Sequence, residues 1–171
     1  EALRQLREED HEANVYAVFS AQEEVGCRGT QLAAYRIEPE IAFIVDTGFG
    51  EDPATNVKET RLRIGEGPAI RAWEGRHIVP RRVFDFMIST AENEGIPYQT
   101  EIAIAGGTNA STIHLTKEGI PTGEVIVARR YSHSPIEVAS LRDMENAAKL
   151  LAVIVKRLDS SFVAGFEKRI K

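Results

Sequence analysis

The chain has 171 residues, of which 43% are hydrophobic and 27% are charged, a composition that suits one folded domain with a sizeable core. Its formal net charge of −5 argues against general binding to nucleic acid or to a membrane surface, and no apolar run approaches the roughly 20 residues of a membrane-spanning helix. A single cysteine, Cys27, excludes an internal disulfide and predicts a cytoplasmic protein.

Segments typical of strands and helices alternate along the chain. Helical patterns and the residues that end them predict helices over 1–12, 29–36, 80–95, 109–119 and 140–158. Apolar and β-branched runs predict strands over 14–21, 41–46, 59–65, 68–73, 98–105 and 123–129, with a loop over 50–56. This alternation predicts an α/β domain in which a central β-sheet is flanked by helices on both faces.

Four side chains that can bind a metal or move a proton follow the predicted strands. Glu23 and Glu24 come just after strand 14–21, Asp46 ends strand 41–46, and His133 comes just after strand 123–129. Ligands of open α/β sheets bind beyond the carboxyl ends of the strands, so we expect the four side chains at one edge of the sheet.

Each of these residues alone has a simpler interpretation as a solvated acid or a structural histidine. Together, carboxylates and an imidazole suit Zn²⁺, Co²⁺ or Mn²⁺, and an acid that is not a ligand could serve as a general base. Adjacent residues in a turning segment point in different directions, so one glutamate can bind metal while the other faces the substrate. Gly26 and Gly29 allow the chain to turn there.

Four motifs, in order over nearly the whole chain, resemble those of a known family: "SAQEEVGCRGT", "IVDTGFGEDP", "GGTNASTIHLTKEGIPT" and "RRYSHSPIEV". The family is the glutamyl/lysyl aminopeptidases that form tetrahedral particles, whose members also carry the names endoglucanase and cellulase. The resemblance implies a mixed sheet in a zinc-exopeptidase-like three-layer sandwich and two divalent metal ions, zinc or cobalt. It also implies that Glu23 is the general base, that Glu24 and His133 bind one metal, and that Asp46 binds the other.

The chain departs from the family pattern in several places. The family has two further ligands, an upstream histidine and an aspartate that bridges both metals, and an inserted dimerisation domain, and none of these is recognised here. We therefore expect residues 1–171 to be the C-terminal part of the catalytic domain, truncated at the N-terminus. Asn109 replaces a family aspartate and is expected to cap the following helix. Cys27 is expected to be a small buried side chain, and His77 and His114 to be structural.

The favoured interpretation is a metal-dependent aminopeptidase that removes N-terminal residues from short peptides and forms a homo-oligomer, without nucleic-acid or membrane partners. The isolated chain is expected to be inactive because ligands are missing, and one alternative is an inactive truncated remnant or a split subunit. Another alternative is a glycosidase, which needs two carboxylates about 5–10 Å apart on either side of a sugar bond. Adjacent glutamates with a histidine and a second acid suit a metal site better.

Overall fold

The computed structural model describes residues 1–8, 10–51 and 62–167. Within these ranges the helices are α1 (Ala2–Leu6), α2 (Arg28–Ile37), α3 (Arg81–Asn93), α4 (Ala110–Ile113), α5 (Leu141–Arg157) and α6 (Ser160–Glu167). The strands are β1 (Ala42–Phe49), β2 (Ala69–Glu74), β3 (His77–Ile78), β4 (Gln99–Ile102), β5 (Thr122–Arg130) and β6 (Val138–Ala139). No helix in the described ranges is long and apolar enough to cross a membrane.

All the strands belong to one sheet in which β5 is central. β5 runs parallel to β1, from Ala42 opposite Thr122 to Phe49 opposite Arg129. On its other side β5 pairs antiparallel with β2, which in turn pairs parallel with β4 and antiparallel with β3. β6 folds back antiparallel onto the end of β5. The sheet is therefore mixed, as expected, and the run 122–128 is buried along its length because helices cover both faces.

Alternate residues of β5 face two separate cores. Val125 and Val127 belong to a cluster that includes residues of α3 and α5, such as Met87 and Leu150. Ile126 and Ala128 lie in a different cluster because successive side chains of a strand point to opposite faces. On that second face, Ala34 of α2 and Ile113 of α4 pack with Ile44 of β1. The predicted arrangement of helices on both faces is confirmed.

The predicted strand 14–21 does not form. Tyr16, Val18 and Phe19 are exposed in this segment, Phe19 by 94%, and none of the sheet strands among the described residues pairs with it. An apolar run becomes a buried strand only where a neighbour completes its backbone ladder and covers its faces. Composition predicts the tendency of the segment to form a strand, but it does not show whether a neighbouring strand is available to pair with it.

Other predicted boundaries need correction. β1 continues past Asp46 to Phe49, because residues 47–49 go on pairing with β5, so Asp46 lies within the strand and does not end it. The predicted helix 109–119 is regular only over α4, since Thr116 donates its hydroxyl to the Thr112 carbonyl and Lys117 has a positive φ of 53°. The predicted helix 1–12 is shortened to α1.

The predicted strand 59–65 and loop 50–56 lie partly outside the described residues. In the part that is described, Leu62 forms a single parallel bridge with Gly50 and no longer strand.

Candidate active site and metal centre

A tight turn holds Glu23 and Glu24 immediately before α2. The amides of Gly26 and Cys27 both donate to the Glu23 carbonyl, at 3.0 and 2.9 Å, and the Gly29 amide donates to the Ala21 carbonyl at 3.0 Å. Gly26 has φ +112°, and a Cβ at Gly29 would lie 2.6 Å from the Ala21 carbonyl oxygen. Glycine is therefore required at both positions, in agreement with the role predicted for them.

Glu23 lies partly buried behind the turn. The Cys27 thiol lies 3.5 Å from its Oε1 and can donate to it. Burial raises the pKa of the Glu23 carboxyl, and the negative charge of Asp46, followed by that of Glu24, raises this pKa further. The hydrogen bond from Cys27 and the charge of His133 act in the opposite direction. A carboxyl group with a raised pKa is suited to accept and release a proton near neutral pH.

Glu24 faces His133 across the site. The Oε1 of Glu24 lies 3.9 Å from the Nδ1 of His133, and the two side chains are 74% and 57% exposed. His133 lies in the hairpin loop between β5 and β6, and its ring centroid is 6.5 Å from that of Phe49. Tyr131 and His133 both have positive φ, 60° and 59°, which is a strained conformation for residues with a side chain.

A third acid of the site, Asp46, lies in the middle of β1. Its Oδ1 accepts a hydrogen bond of 2.7 Å from the Thr47 amide. Its charge acts on Glu23, which places the two carboxyl groups in the same region of the molecule. β1 and β5 are parallel, so Phe49 and Arg130 end at the same edge of the sheet, the edge to which His133 also belongs. The structure therefore places the four predicted residues near one another, with Asp46 inside β1 and not at its end.

The donors present fit a divalent metal in part. A tetrahedral zinc with one Zn–O and one Zn–N bond holds those two atoms about 3.3–3.4 Å apart, so the 3.9 Å between Glu24 Oε1 and His133 Nδ1 would have to close by roughly half an ångström. In the described part of the chain, however, no group of three or more His, Cys, Asp or Glu side chains is arranged to hold a metal ion. The pair supplies suitable donor chemistry, and it is short of the three protein ligands that catalytic zinc normally has.

Sequence reasoning missed the contacts that support this site. The Oε1 of Glu137 accepts a 2.7 Å hydrogen bond from the His133 amide, and both oxygens of Glu137 accept from Arg129. Arg129 is thus salt-bridged to Glu137. The only signal for Glu137 in the sequence is an acid four residues after a histidine in a turn, which is too common to be informative.

Thr108 connects the acidic turn to a buried network of charges. Its carbonyl lies 3.3 Å from the Cys27 thiol, its amide donates to Glu74 and its hydroxyl to Glu124, each at 3.1 Å. Arg71 pairs with both of these glutamates. Cys27 is buried as expected, but it also has the polar contacts that a purely apolar side chain would lack.

The other singled-out residues have structural surroundings. His77 is buried with its Nδ1 2.9 Å from Glu124, and His114 bonds the Ala110 carbonyl through Nδ1. Asn109 stands at the start of α4 but makes no capping bond with its side chain, contrary to prediction, because its Oδ1 accepts a hydrogen bond from Thr30 instead.

Comparison with known proteins agrees with this fold and these motifs. The model of the M42 glutamyl aminopeptidase family matches residues 1–150. The lysyl aminopeptidase of Pyrococcus furiosus is 35% identical over 159 residues, which are 92% of this chain and 44% of that protein.

Solved structures give the same assignment. An aminopeptidase from the archaeon Desulfurococcus kamchatkensis superposes with a TM-score of 0.92 at 37% identity, over 99% of this chain and 49% of that chain. The Pyrococcus horikoshii TET1 peptidase, described as assembling into a tetrahedron or a large octahedral shell, gives 0.70 at 32% identity, over 82% of this chain and 40% of that chain.

The fold, the arrangement of acids and histidine, and these matches define an α/β peptidase-type domain. The chain belongs to the M42 glutamyl aminopeptidase family. It spans about half the length of the curated relatives it matches.

Proposed function

We propose that the chain forms the C-terminal part of the catalytic domain of a dinuclear-metal aminopeptidase, which releases N-terminal residues from short peptides. The observation that carries the proposal is the pairing of Glu24 with His133 at 3.9 Å, next to a partly buried Glu23 with a raised pKa. A metal-binding carboxylate and imidazole beside a separate proton acceptor are the parts that metal-assisted hydrolysis needs.

Glu24 and His133 would hold one divalent ion, zinc or cobalt, and Asp46 would be a ligand of the second. When bound, such ions polarise the scissile carbonyl and activate the attacking water. Glu23 takes a proton from the attacking water and later delivers it to the nitrogen of the leaving amine. The Cys27 thiol, 3.5 Å from Glu23 Oε1, orients this carboxylate.

A second candidate is an inactive remnant or a split subunit. It is supported by the ligand count, since the described residues offer two donors for one ion and one for the other. We propose accordingly that these 171 residues alone are inactive and that activity requires the further histidine and bridging carboxylate of the family pattern, from another segment or another chain. We likewise propose that the dimerisation domain, which the family inserts between those two ligands, lies outside these 171 residues.

The partners and the location of the protein are also part of what we propose. The substrate is a peptide with a free amino terminus, and the protein is proposed to be a cytoplasmic homo-oligomer. We propose no nucleic-acid partner, because a net charge of −5 does not favour binding to a phosphate backbone. The family relationship to a peptidase that forms closed shells supports a homo-oligomer.

The test is to measure the metal content of the purified protein and then its hydrolysis of aminoacyl-nitroanilides with and without added Zn²⁺ or Co²⁺. In protein that has the full ligand set we expect hydrolysis that a chelator abolishes and either metal restores, whereas the 171 residues alone should show little hydrolysis. Activity on these substrates that is unaffected by complete metal removal would contradict the proposal. Cleavage of cellulose that is insensitive to chelator would support the glycosidase alternative instead.

A further inference from the structure

We propose that Glu137, anchored by Arg129, is the positioning residue that holds His133 in place beside Glu24. The inference rests on the proposed function for its consequence, which is metal affinity. Its structural part, that Glu137 fixes the conformation of the His133 loop, stands on the geometry of the hairpin alone.

The hairpin loop is long for a loop that must hold a side chain precisely. β5 and β6 pair antiparallel, with Arg130 opposite Val138, so residues 131–137 form the connection. Tyr131 and His133 have positive φ within it, and Ser134 is held by bonds to the backbone of Tyr131 and Ile136. A conformation with two such residues persists only where surrounding contacts enforce it.

Glu137 supplies such a contact. Its Oε1 accepts the His133 amide at 2.7 Å, so the carboxylate acts directly on the backbone that carries the imidazole. Both of its oxygens also accept from Arg129 Nη1, at 2.9 and 2.8 Å. Hydrogen bonds between charged groups are shorter and stronger than those between neutral groups.

Arg129 makes a firm anchor because it belongs to the central strand. Its backbone pairs with Phe49 of β1 on one side and Ala139 of β6 on the other. Its side chain is 17% exposed, so the guanidinium has little freedom to move. The ion pair therefore connects the rigid sheet to the backbone amide of His133 through a single side chain.

This arrangement bears on metal binding because Glu24 and His133 come from different loops. Their donor atoms are 3.9 Å apart, and a ligand set must hold such separations within a few tenths of an ångström. Loss of the residues that orient metal ligands typically lowers metal affinity or activity about 10- to 100-fold. We expect an effect of that size when Glu137 is removed.

The experiment compares Glu137→Ala, Glu137→Gln and Arg129→Met with the parent, all in protein that has the full ligand set. Hydrogen–deuterium exchange of the peptide covering 129–137 reports the loop, and calorimetric titration with Co²⁺ or Zn²⁺ reports affinity. Glu137→Ala should speed exchange of the loop amides and lower metal affinity about 10- to 100-fold. Glu137→Gln should recover most of both, since its amide oxygen accepts the same His133 amide. Arg129→Met should give loop exchange rates and metal affinities between those of Glu137→Ala and Glu137→Gln.

Glu145→Ala, at an exposed glutamate on α5, is the matched control and should change neither measurement. Thermal unfolding of each variant shows whether it is folded. Unchanged exchange and unchanged affinity in a folded Glu137→Ala protein would overturn the inference. If the parent itself binds no metal, the metal site of the proposed function fails, and exchange alone decides whether Glu137 positions the loop.

Discussion

Glu23 and Glu24 are adjacent in sequence but have different surroundings. Glu23 is partly buried and contacts the Cys27 thiol, whereas the Glu24 side chain is 74% exposed and faces His133. Both begin the turn in which the Gly26 and Cys27 amides donate to the Glu23 carbonyl. This difference supports a division of work in which Glu24 binds metal and Glu23 moves the proton.

Substitution of Glu23 by glutamine tests that division. Glu23→Gln keeps the size of the side chain and removes its ability to accept a proton, so we expect metal content close to that of the parent. General-base catalysis contributes roughly 10²–10⁴-fold, and turnover on aminoacyl-nitroanilides should fall by about that factor in protein that has the full ligand set. A loss below about tenfold would count against Glu23 as the base.

The proposed ligands should behave differently from Glu23. Glu24→Ala, Asp46→Ala and His133→Ala each remove a metal donor, so each should lower the metal occupancy measured by elemental analysis. Asp85→Ala, which removes an exposed ion pair with Arg81 on α3, is the control and should leave occupancy unchanged. Unaltered metal content in all three site variants would show that the site is misplaced.

At the scale of single elements, α5 is tied to the loop before β2 by a buried acid. Asp143 is fully buried, and its two oxygens accept the amides of Gly65 and Gly67 at 2.7 and 3.0 Å. Ser140 caps the same helix by accepting the Asp143 amide. The local sequence does not indicate that the Asp143 side chain reaches across to another segment.

Asp143→Ala should therefore destabilise the fold without altering the site residues. An unsatisfied buried polar group costs about 1–3 kcal/mol, and of the two residues whose amides lose their acceptor only Gly67 is buried, so the free energy of unfolding should fall by about 1–3 kcal/mol. Urea denaturation measures this change, with exposed Glu145→Ala as the control on the same helix. A decrease no greater than that of the control would contradict the structural role of Asp143.

The buried carboxylates behind the site predict a dependence of stability on pH. Burial, and next the charge of Glu124, raise the pKa of Glu74. Because this folded-state pKa lies above the unfolded value, the stability linked to Glu74 is fully present below the unfolded pKa and is lost as pH rises through the folded pKa. The stability of Glu74→Gln relative to the parent should accordingly be greater at pH 8 than at pH 5.

Melting temperatures of parent and variant at the two pH values check this prediction. Glu94→Gln, at an exposed position after α3, is the control for the general effect of removing one negative charge. A stability of Glu74→Gln relative to the parent that is the same at both pH values, or that is greater at pH 5, would show that ionisation of Glu74 does not destabilise the folded state.

Helices and strands that have both a regular apolar pattern and residues that mark their ends were predicted well. α3 and α5 carry periodic apolar residues and clear end signals, and β5 is an apolar run, so their positions follow from local sequence. Segment 14–21 has equal apolar character but no partner strand in the described structure, and α4 is cut short by threonine hydroxyls that bond the backbone. Such outcomes depend on neighbours that a local pattern does not contain.

For the molecule as a whole, the candidate site was easier to predict than its supports. Glu23, Glu24, Asp46 and His133 were expected at one sheet edge because strand ends converge there; they lie near one another, but Glu23 and Glu24 follow no strand and Asp46 lies within β1. The contact of Glu137 with His133 lies in a common kind of turn, and the contact of Thr108 with Cys27 joins residues that are remote in sequence. Their positions follow from tertiary packing, which short motifs do not encode.

The 171-residue chain by itself should bind divalent metal weakly and show little peptidase activity. Two donors for one ion and one for the other fall short of the three that a catalytic zinc site normally has. Calorimetry with Zn²⁺ and Co²⁺, and peptidase assays with excess metal, measure both properties. Tight binding of two ions with rapid turnover would contradict this prediction, unless a second chain were shown to supply the remaining ligands.

β1 lies at the end of the sheet order, with β5 on one side and, among the described residues, no strand on the other. Val45 and Phe49 are exposed along it, by 56% and 54%. A long edge with unpaired backbone groups and apolar side chains is a template for strand addition and aggregation. We therefore expect the exposed edge of β1 to limit the solubility of the isolated chain, and diluting the sample or placing a lysine at position 45 should protect it more than lowering the salt.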